Sequence, residues 1–139
     1  MKKPTAYRLQ VTETDLADLK ARLGRTRWPD EAPGEAWHSG TSVAYLRDLC
    51  AYWQKGFDWR AAEARLNAFP QFMLPVNGID LHFIHAPSKK PGALPLLLSH
   101  GWPGSVFEFL KIIPLLQEHF TLVAPSLPKR FCPGRKDRP

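Results

Sequence analysis

Ser99-His100-Gly101-Trp102-Pro103-Gly104-Ser105 is the stretch of this chain whose residue types and spacing could do chemistry. It follows the apolar run Leu94-Pro95-Leu96-Leu97-Leu98 and precedes a helix-opening pattern, so it reads as a strand-to-helix turn. Open α/β sheets place their ligands at such carboxyl ends of strands. Gly101 and Gly104 let the backbone approach a ligand closely, and Pro103 restricts the loop. The helix start beyond presents unpaired N–H groups at a positive dipole end. Donors arranged in this way could stabilise an oxyanion. A turn that needs glycine and proline for its geometry alone carries the same residues, and physics by itself leaves both readings open.

The elements that must position this turn follow from the periodicity. Leu94 to Ser99 lacks alternation, which predicts a strand buried on both faces of a mostly parallel sheet. Ser105 with Glu108 three residues on forms a capping-box pattern, and Val106, Phe109, Leu110 and Ile113 continue it as a helix that Pro114 should kink or interrupt. A second apolar strand, Phe120 to Ala124, follows. Upstream, Phe72 to Val76 and Ile79 to His85 flank Asn77-Gly78, the pattern of a β-hairpin, with Asp80 facing solvent.

Before Phe69-Pro70 the period is about 3.6 rather than 2. Thr12-x-x-Asp15 caps a helix carrying Leu16, Leu19 and Leu23 and stopping at Gly24. A second helix runs from after Thr41 through Val43, Leu46, Leu49, Cys50 and Trp53 to near Gly56, and a third is capped by Asp58 and carries Trp59, Ala62, Leu66 and Phe69. Between the first two lies a meander, Arg25 to Gly34, with two prolines and a glycine. Its neighbours Trp28 and Trp37 are large enough to be expected against a packing surface.

Composition narrows the class. The chain has 139 residues, 44% of them hydrophobic and 23% charged, the profile of one globular domain rather than a disordered or disulfide-stapled chain. No apolar run approaches the roughly 18 residues of a membrane span, and Met1 to Arg8 lacks a signal-peptide core, so a cytoplasmic location is expected. Cys50 and Cys132 form no CxxC, and no His-x-x-His spacing exists to hold a metal, so neither metal nor redox chemistry is expected. The net charge is +6, but residues 129–139 hold five positive side chains against one negative, which leaves an ordinary +2 elsewhere. That placement argues against a nucleic-acid partner, and no feature sets an oligomeric state. His38, His82, His85 and His119 read as surface or hydrogen-bonded structural groups, because no nucleophile is placed to use them, and His100 as a holder of its loop.

Taken in order, several blocks resemble the N-terminal region of the epoxide hydrolases of the microsomal and juvenile-hormone type, within the α/β-hydrolase superfamily. They are Arg22-Leu23 with Thr26-Arg27-Trp28-Pro29, Tyr45-Leu46 leading to Tyr52-Trp53, Phe57-Asp58-Trp59-Arg60, Leu66-Asn67 with Phe69-Pro70-Gln71-Phe72, Gly78-Ile79 leading to His82-Phe83-Ile84-His85, and His100 to Ser105 with Glu108-Phe109. The resemblance covers about Tyr7 to Pro128. It implies an α/β fold in which a helical wrapping segment is followed by the first strands and first helix of a hydrolase sheet. The implied boundaries are 4–114 for the N-terminal region (helical meander 4–69, hairpin and strand-turn-helix 70–114), 115–128 for the next strand, and 129–139 for a basic tail.

The resemblance also assigns roles. His100, Gly101, Trp102 and Pro103 would form the oxyanion-hole loop, with the Trp102 backbone N–H as donor, a cis bond before Pro103, and the Trp102 ring lining the substrate pocket. Trp28, Trp37, Trp53 and Trp59 would be packing anchors. The implied activity is hydration of a small-molecule epoxide to a vicinal diol, a detoxifying reaction, through an aspartyl ester hydrolysed by a histidine–acid pair, with cap tyrosines protonating the epoxide oxygen. No Gly-x-Asp-x-Gly elbow occurs in these 139 residues. The switch to basic sequence after Pro128 is accordingly read as a truncated end, of the kind a frameshift or a mis-set gene end produces, and the expected outcome is an inactive fragment. The alternative is a non-catalytic module that docks on a partner chain.

Overall fold

The computed structural model describes residues 3–31 and 33–128. The basic tail expected at 129–139, including Cys132, lies outside the described residues. Two compact units are present: Gln10–Arg60, and Met1–Leu9 together with Ala61–Pro139 as far as they are described.

In the first unit, α1 (Glu13–Gly24) begins where expected, because Thr12 Oγ1 accepts from Asp15 N–H at 3.1 Å and donates to the Asp15 carboxylate at 2.7 Å. Its Leu16, Leu19 and Leu23 are half-buried. α2 (Val43–Lys55) is capped by Ser42 rather than Thr41, and Glu31 accepts from Val43 N–H at 3.1 Å, so the end of the meander closes onto the helix start. α1 and α2 pack together, and Gln54 donates to the Lys20 carbonyl at 3.0 Å. Cys50 sits half-buried as a free thiol.

The expected burial of the tryptophans is corrected here. Trp28 is half-buried beneath the Arg47 guanidinium, 5.0 Å from its ring centre. Trp37, with a left-handed φ of 71°, is 57% exposed and leans on Tyr45, and Trp53 is exposed as well. The reason is geometric. Val43, Leu46 and Cys50 already face inward, which leaves Tyr45, Leu49, Tyr52 and Trp53 on a second stripe of α2 that stays 44–57% exposed.

In the second unit a five-stranded sheet has the order β1-β2-β3-β5-β4, built from β1 (Thr5–Tyr7), β2 (Gln71–Val76), β3 (Ile79–Ala86), β4 (Leu94–Leu97) and β5 (Phe120–Pro125). The short β1 has no alternating apolar signal and was not expected; it pairs antiparallel with β2, Ala6 opposite Phe72. The hairpin is as expected, with Phe72 opposite Phe83 and their rings stacked at 5.6 Å. Asn77 (φ 48°) and Gly78 (φ 82°) make its two-residue turn with both central residues left-handed. Gly78→Val should therefore cost about 1–2 kcal/mol, read as a lowered urea midpoint, because a β-branched residue strains that φ. An unchanged midpoint would show that the turn relaxes freely.

Among the described residues the sheet is mixed rather than mostly parallel: β4 and β5 pair in parallel and the other pairs are antiparallel. The expected two-faced burial of Leu94 to Ser99 is also corrected, since β4 stops at Leu97 and its Leu94 and Leu97 are 68% and 64% exposed. Among the described residues it pairs with β5 alone, so its apolar run is not enclosed. The core lies on the other strands. Ile84, Ala86, Leu122 and Ala124 alternate inward along β3 and β5 and meet Leu66 of α3 (Trp59–Asn67), Val106, Leu110 and Ile113. The helix expected from Ser105 is a 3-10 turn, Val106–Phe109, and of the kink or interruption expected at Pro114 the structure has the interruption, with α4 (Ile113–Gln117) as a separate helix. Pro114 sits in the first turn of α4, where its missing N–H costs nothing, so it starts a helix instead of bending one.

Candidate functional site

The turn after β4 is held from both sides. The Leu98 N–H still donates to the Val123 carbonyl at 2.9 Å, so the parallel ladder reaches to two residues before His100. His100 is buried. Its Nδ1 lies 3.0 Å from the Gly101 carbonyl oxygen, and the Leu127 N–H reaches its Nε2 at 3.1 Å. A backbone N–H can only donate, so Nε2 is the acceptor and the proton resides on Nδ1, which donates to the Gly101 carbonyl. His100 is thus a neutral clamp joining the turn to the segment that leaves β5.

This clamp orients the next peptide. In a trans peptide the C=O and N–H point in opposite directions. With the Gly101 carbonyl drawn toward His100, the Trp102 N–H is directed to the opposite side of the turn. The Trp102-Pro103 bond is cis, and the Trp102 ring is 79% exposed. A Cβ built on Gly101 would meet open space, so the backbone is accessible on that side. Gly104 differs: a Cβ there would run into the Glu108 carboxylate, which folds back over the turn. Ser105 caps the 3-10 turn through Phe107 N–H rather than through Glu108 N–H.

A second polar cluster lies under the sheet face. His82 is buried, with Nε2 3.0 Å from Gln71 Oε1 and Nδ1 2.7 Å from Ser126 Oγ. Gln71 Nε2 donates to the Leu66 carbonyl and to Asn67 Oδ1, and Asn67 in turn makes paired hydrogen bonds to the Leu9 backbone. Burial pushes the His82 pKa below its ordinary value. The Tyr7 ring stands edge-on to His82 at 5.2 Å, and its phenol is pushed up by burial and by the nearby Glu63 carboxylate. A cavity of about 10 Å³ beside Tyr7, Gln71, His82 and Ser105 is at the lower limit for one water, so the cluster is closely packed.

His82 and His100 therefore both hold structure by hydrogen bonds, as read from the sequence, whereas His38 and His119 are exposed. The link between Gln71, His82 and Ser126 carries no local sequence signal, since His82 and Ser126, 44 positions apart, meet only through strand pairing. Among the described residues no group of His, Cys, Asp or Glu could hold a metal ion, and no helix is long and apolar enough to cross a membrane.

Comparison with known proteins shows the family of the chain. The sequence model of the family described as "epoxide hydrolase N terminus" matches residues 4–109. The chain belongs to that family. Among epoxide hydrolase relatives, a Stigmatella aurantiaca protein whose name assigns it provisionally to them is 47% identical over 134 residues, covering 89% of this chain and 30% of its own length. Epoxide hydrolase 1 of Oryctolagus cuniculus is 38% identical over 136 residues, with 88% of this chain and 30% of the relative covered. The solved epoxide hydrolase of Aspergillus niger superposes with a TM-score of 0.82 at 34% identity, covering 91% of this chain and 36% of that one. The sheet and its flanking helices are thus the opening part of an α/β-hydrolase fold. The chain spans about a third of the length of the relatives it matches.

Proposed function

We propose that the His100–Pro103 turn is the oxyanion-binding loop of an enzyme that adds water to a small-molecule epoxide to give a vicinal diol. The observation that carries this reading is the clamp at His100: both ring nitrogens are engaged, the Gly101 carbonyl is held, and the Trp102 N–H is directed across the turn beside an exposed indole. Such a donor is oriented before any charge develops, which is what makes an oxyanion hole effective. The Trp102 ring lines the pocket for the epoxide's substituent. An aspartate attacks the epoxide carbon, the C–O bond breaks toward the oxygen, and water hydrolyses the resulting ester, with no metal or organic cofactor.

None of the 139 residues forms a Gly-x-Asp-x-Gly nucleophile elbow. The 139-residue polypeptide alone should therefore give no diol from an aryl epoxide above the uncatalysed rate. Joining residues 4–128 to the C-terminal two-thirds of the Aspergillus niger enzyme should restore turnover. In that fusion His100→Ala should lower kcat by up to about 10²–10³-fold, the scale of one lost oxyanion donor. An unchanged kcat would sink the oxyanion reading.

A second reading, a non-catalytic module that docks on a partner chain, is favoured by the exposed apolar edge at Leu94 and Leu97. Here the chain would form a stable one-to-one complex with a separately produced C-terminal two-thirds without gaining turnover.

A further inference from the structure

We infer that His82 and Ser126 are positioning residues for the oxyanion loop, acting through Leu127 and His100. Its purpose rests on the oxyanion reading above; its geometry does not. The proton positions along the path are determined by what each atom can do. Gln71 Nε2 faces two acceptors, the Leu66 carbonyl and Asn67 Oδ1, and Asn67 Oδ1 is itself identified as the acceptor of Leu9 N–H. The amide oxygen of Gln71 therefore faces His82, and His82 Nε2 must carry the proton. His82 Nδ1 is then the acceptor, and the Ser126 hydroxyl donates to it.

Ser126 is 1% exposed and lies just beyond β5. Its backbone N–H donates to the His82 carbonyl at 2.9 Å while its hydroxyl donates to the His82 ring. Two bonds from one residue to another fix the direction in which the chain leaves the sheet. The next residue is Leu127, whose N–H is the donor that places the second histidine in the opposite tautomer, with the proton on Nδ1 and the Gly101 carbonyl as its acceptor. The hairpin thus controls the turn across the sheet: Gln71, His82, Ser126, Leu127, His100, Gly101. Neutrality is required throughout, because a protonated His82 would present a donor to the Ser126 hydroxyl and reverse that bond. Among the described residues the Tyr7 phenol on β1 stands edge-on to His82, and the Glu63 carboxylate on α3 acts on that phenol.

The test is nitrogen-15 NMR of the histidine rings in the whole 139-residue chain at pH 7.5. The expected result is two single tautomers of opposite kind, Nε2–H at His82 and Nδ1–H at His100, with a scalar nitrogen–nitrogen coupling between Leu127 N and His100 Nε2. Ser126→Ala should turn the His100 signal into a tautomer average and speed hydrogen exchange of the Leu127 amide by about tenfold or more. The reverse tautomer at either ring, absence of the coupling, or an unchanged His100 and Leu127 in folded Ser126→Ala would each overturn the inference. The wild-type measurements decide it even where the variant fails to fold. Failure of the oxyanion reading, seen as an unaltered kcat in the His100→Ala fusion, would leave all these signals as stated.

Discussion

Ile84→Ala is expected to lower the stability of the chain by about 2–5 kcal/mol, the range for emptying a fully enclosed aliphatic site. Ile84 sits in the middle of β3, opposite Gln71 on one side and Ala124 on the other, and is 1% exposed. Its neighbours on the same face, Ala86 on β3 and Leu122 and Ala124 on β5, are held by the β3–β5 ladder and cannot collapse far into the space left behind. The measurement is urea unfolding followed by tryptophan fluorescence, comparing midpoints at constant slope. A loss under about 1 kcal/mol would mean that this face is open to rearrangement rather than packed. The hairpin and β5 would then hold together by their backbone ladders alone.

Acidification is the second large effect. His82 is neutral and buried, and burial holds its folded pKa below the unfolded value of about 6.5. A histidine with a depressed folded pKa binds more protons when unfolded. Its contribution is therefore fully present above about pH 6.5 and is lost as the pH falls toward the folded pKa, at no more than about 1.4 kcal/mol per pH unit for the one proton. His82→Gln removes that proton. Urea midpoints at pH 7.5 and pH 5 should converge between wild type and variant as the pH drops, because only the wild type carries the added slope. Parallel behaviour of the two proteins would show that His82 is not the buried neutral group its hydrogen bonds require.

The two predictions draw on different levels of information. The hairpin, the three helices, the strand from Phe120 and the turn at His100 were legible in the sequence because each has a local cause. Asn77-Gly78 can supply two left-handed residues, Thr12 and Ser42 can cap helices, and alternation of apolar residues along β3 selects a face. The family resemblance was legible because its blocks keep their order over almost the whole chain, and it anticipated the cis bond before Pro103. Where local rules were applied to elements whose state depends on neighbours, they failed. The continuous apolar run of β4 suggested enclosure, yet enclosure needs a strand or helix on each side, and β4 has one partner. Ser105 with Glu108 suggested a regular helix start, but the backbone tightened to a 3-10 turn and left Pro114 to begin a separate helix.

What the sequence determined by itself is the set of short-range preferences and the family to which they belong. Tertiary structure alone decided which groups meet. Leu9, Asn67, Gln71, His82, Ser126 and His100 share one hydrogen-bonded path although they span 118 positions of sequence. No periodicity can encode such a path, because its geometry is set by sheet register and strand order, and a one-residue slip in either would turn each side chain to the opposite face. The identity of His100 as a loop holder was readable from its place beside Gly101. The proton on its Nδ1, and with it the direction of the Trp102 N–H, follows only from Leu127 arriving at Nε2 from the end of the neighbouring strand β5.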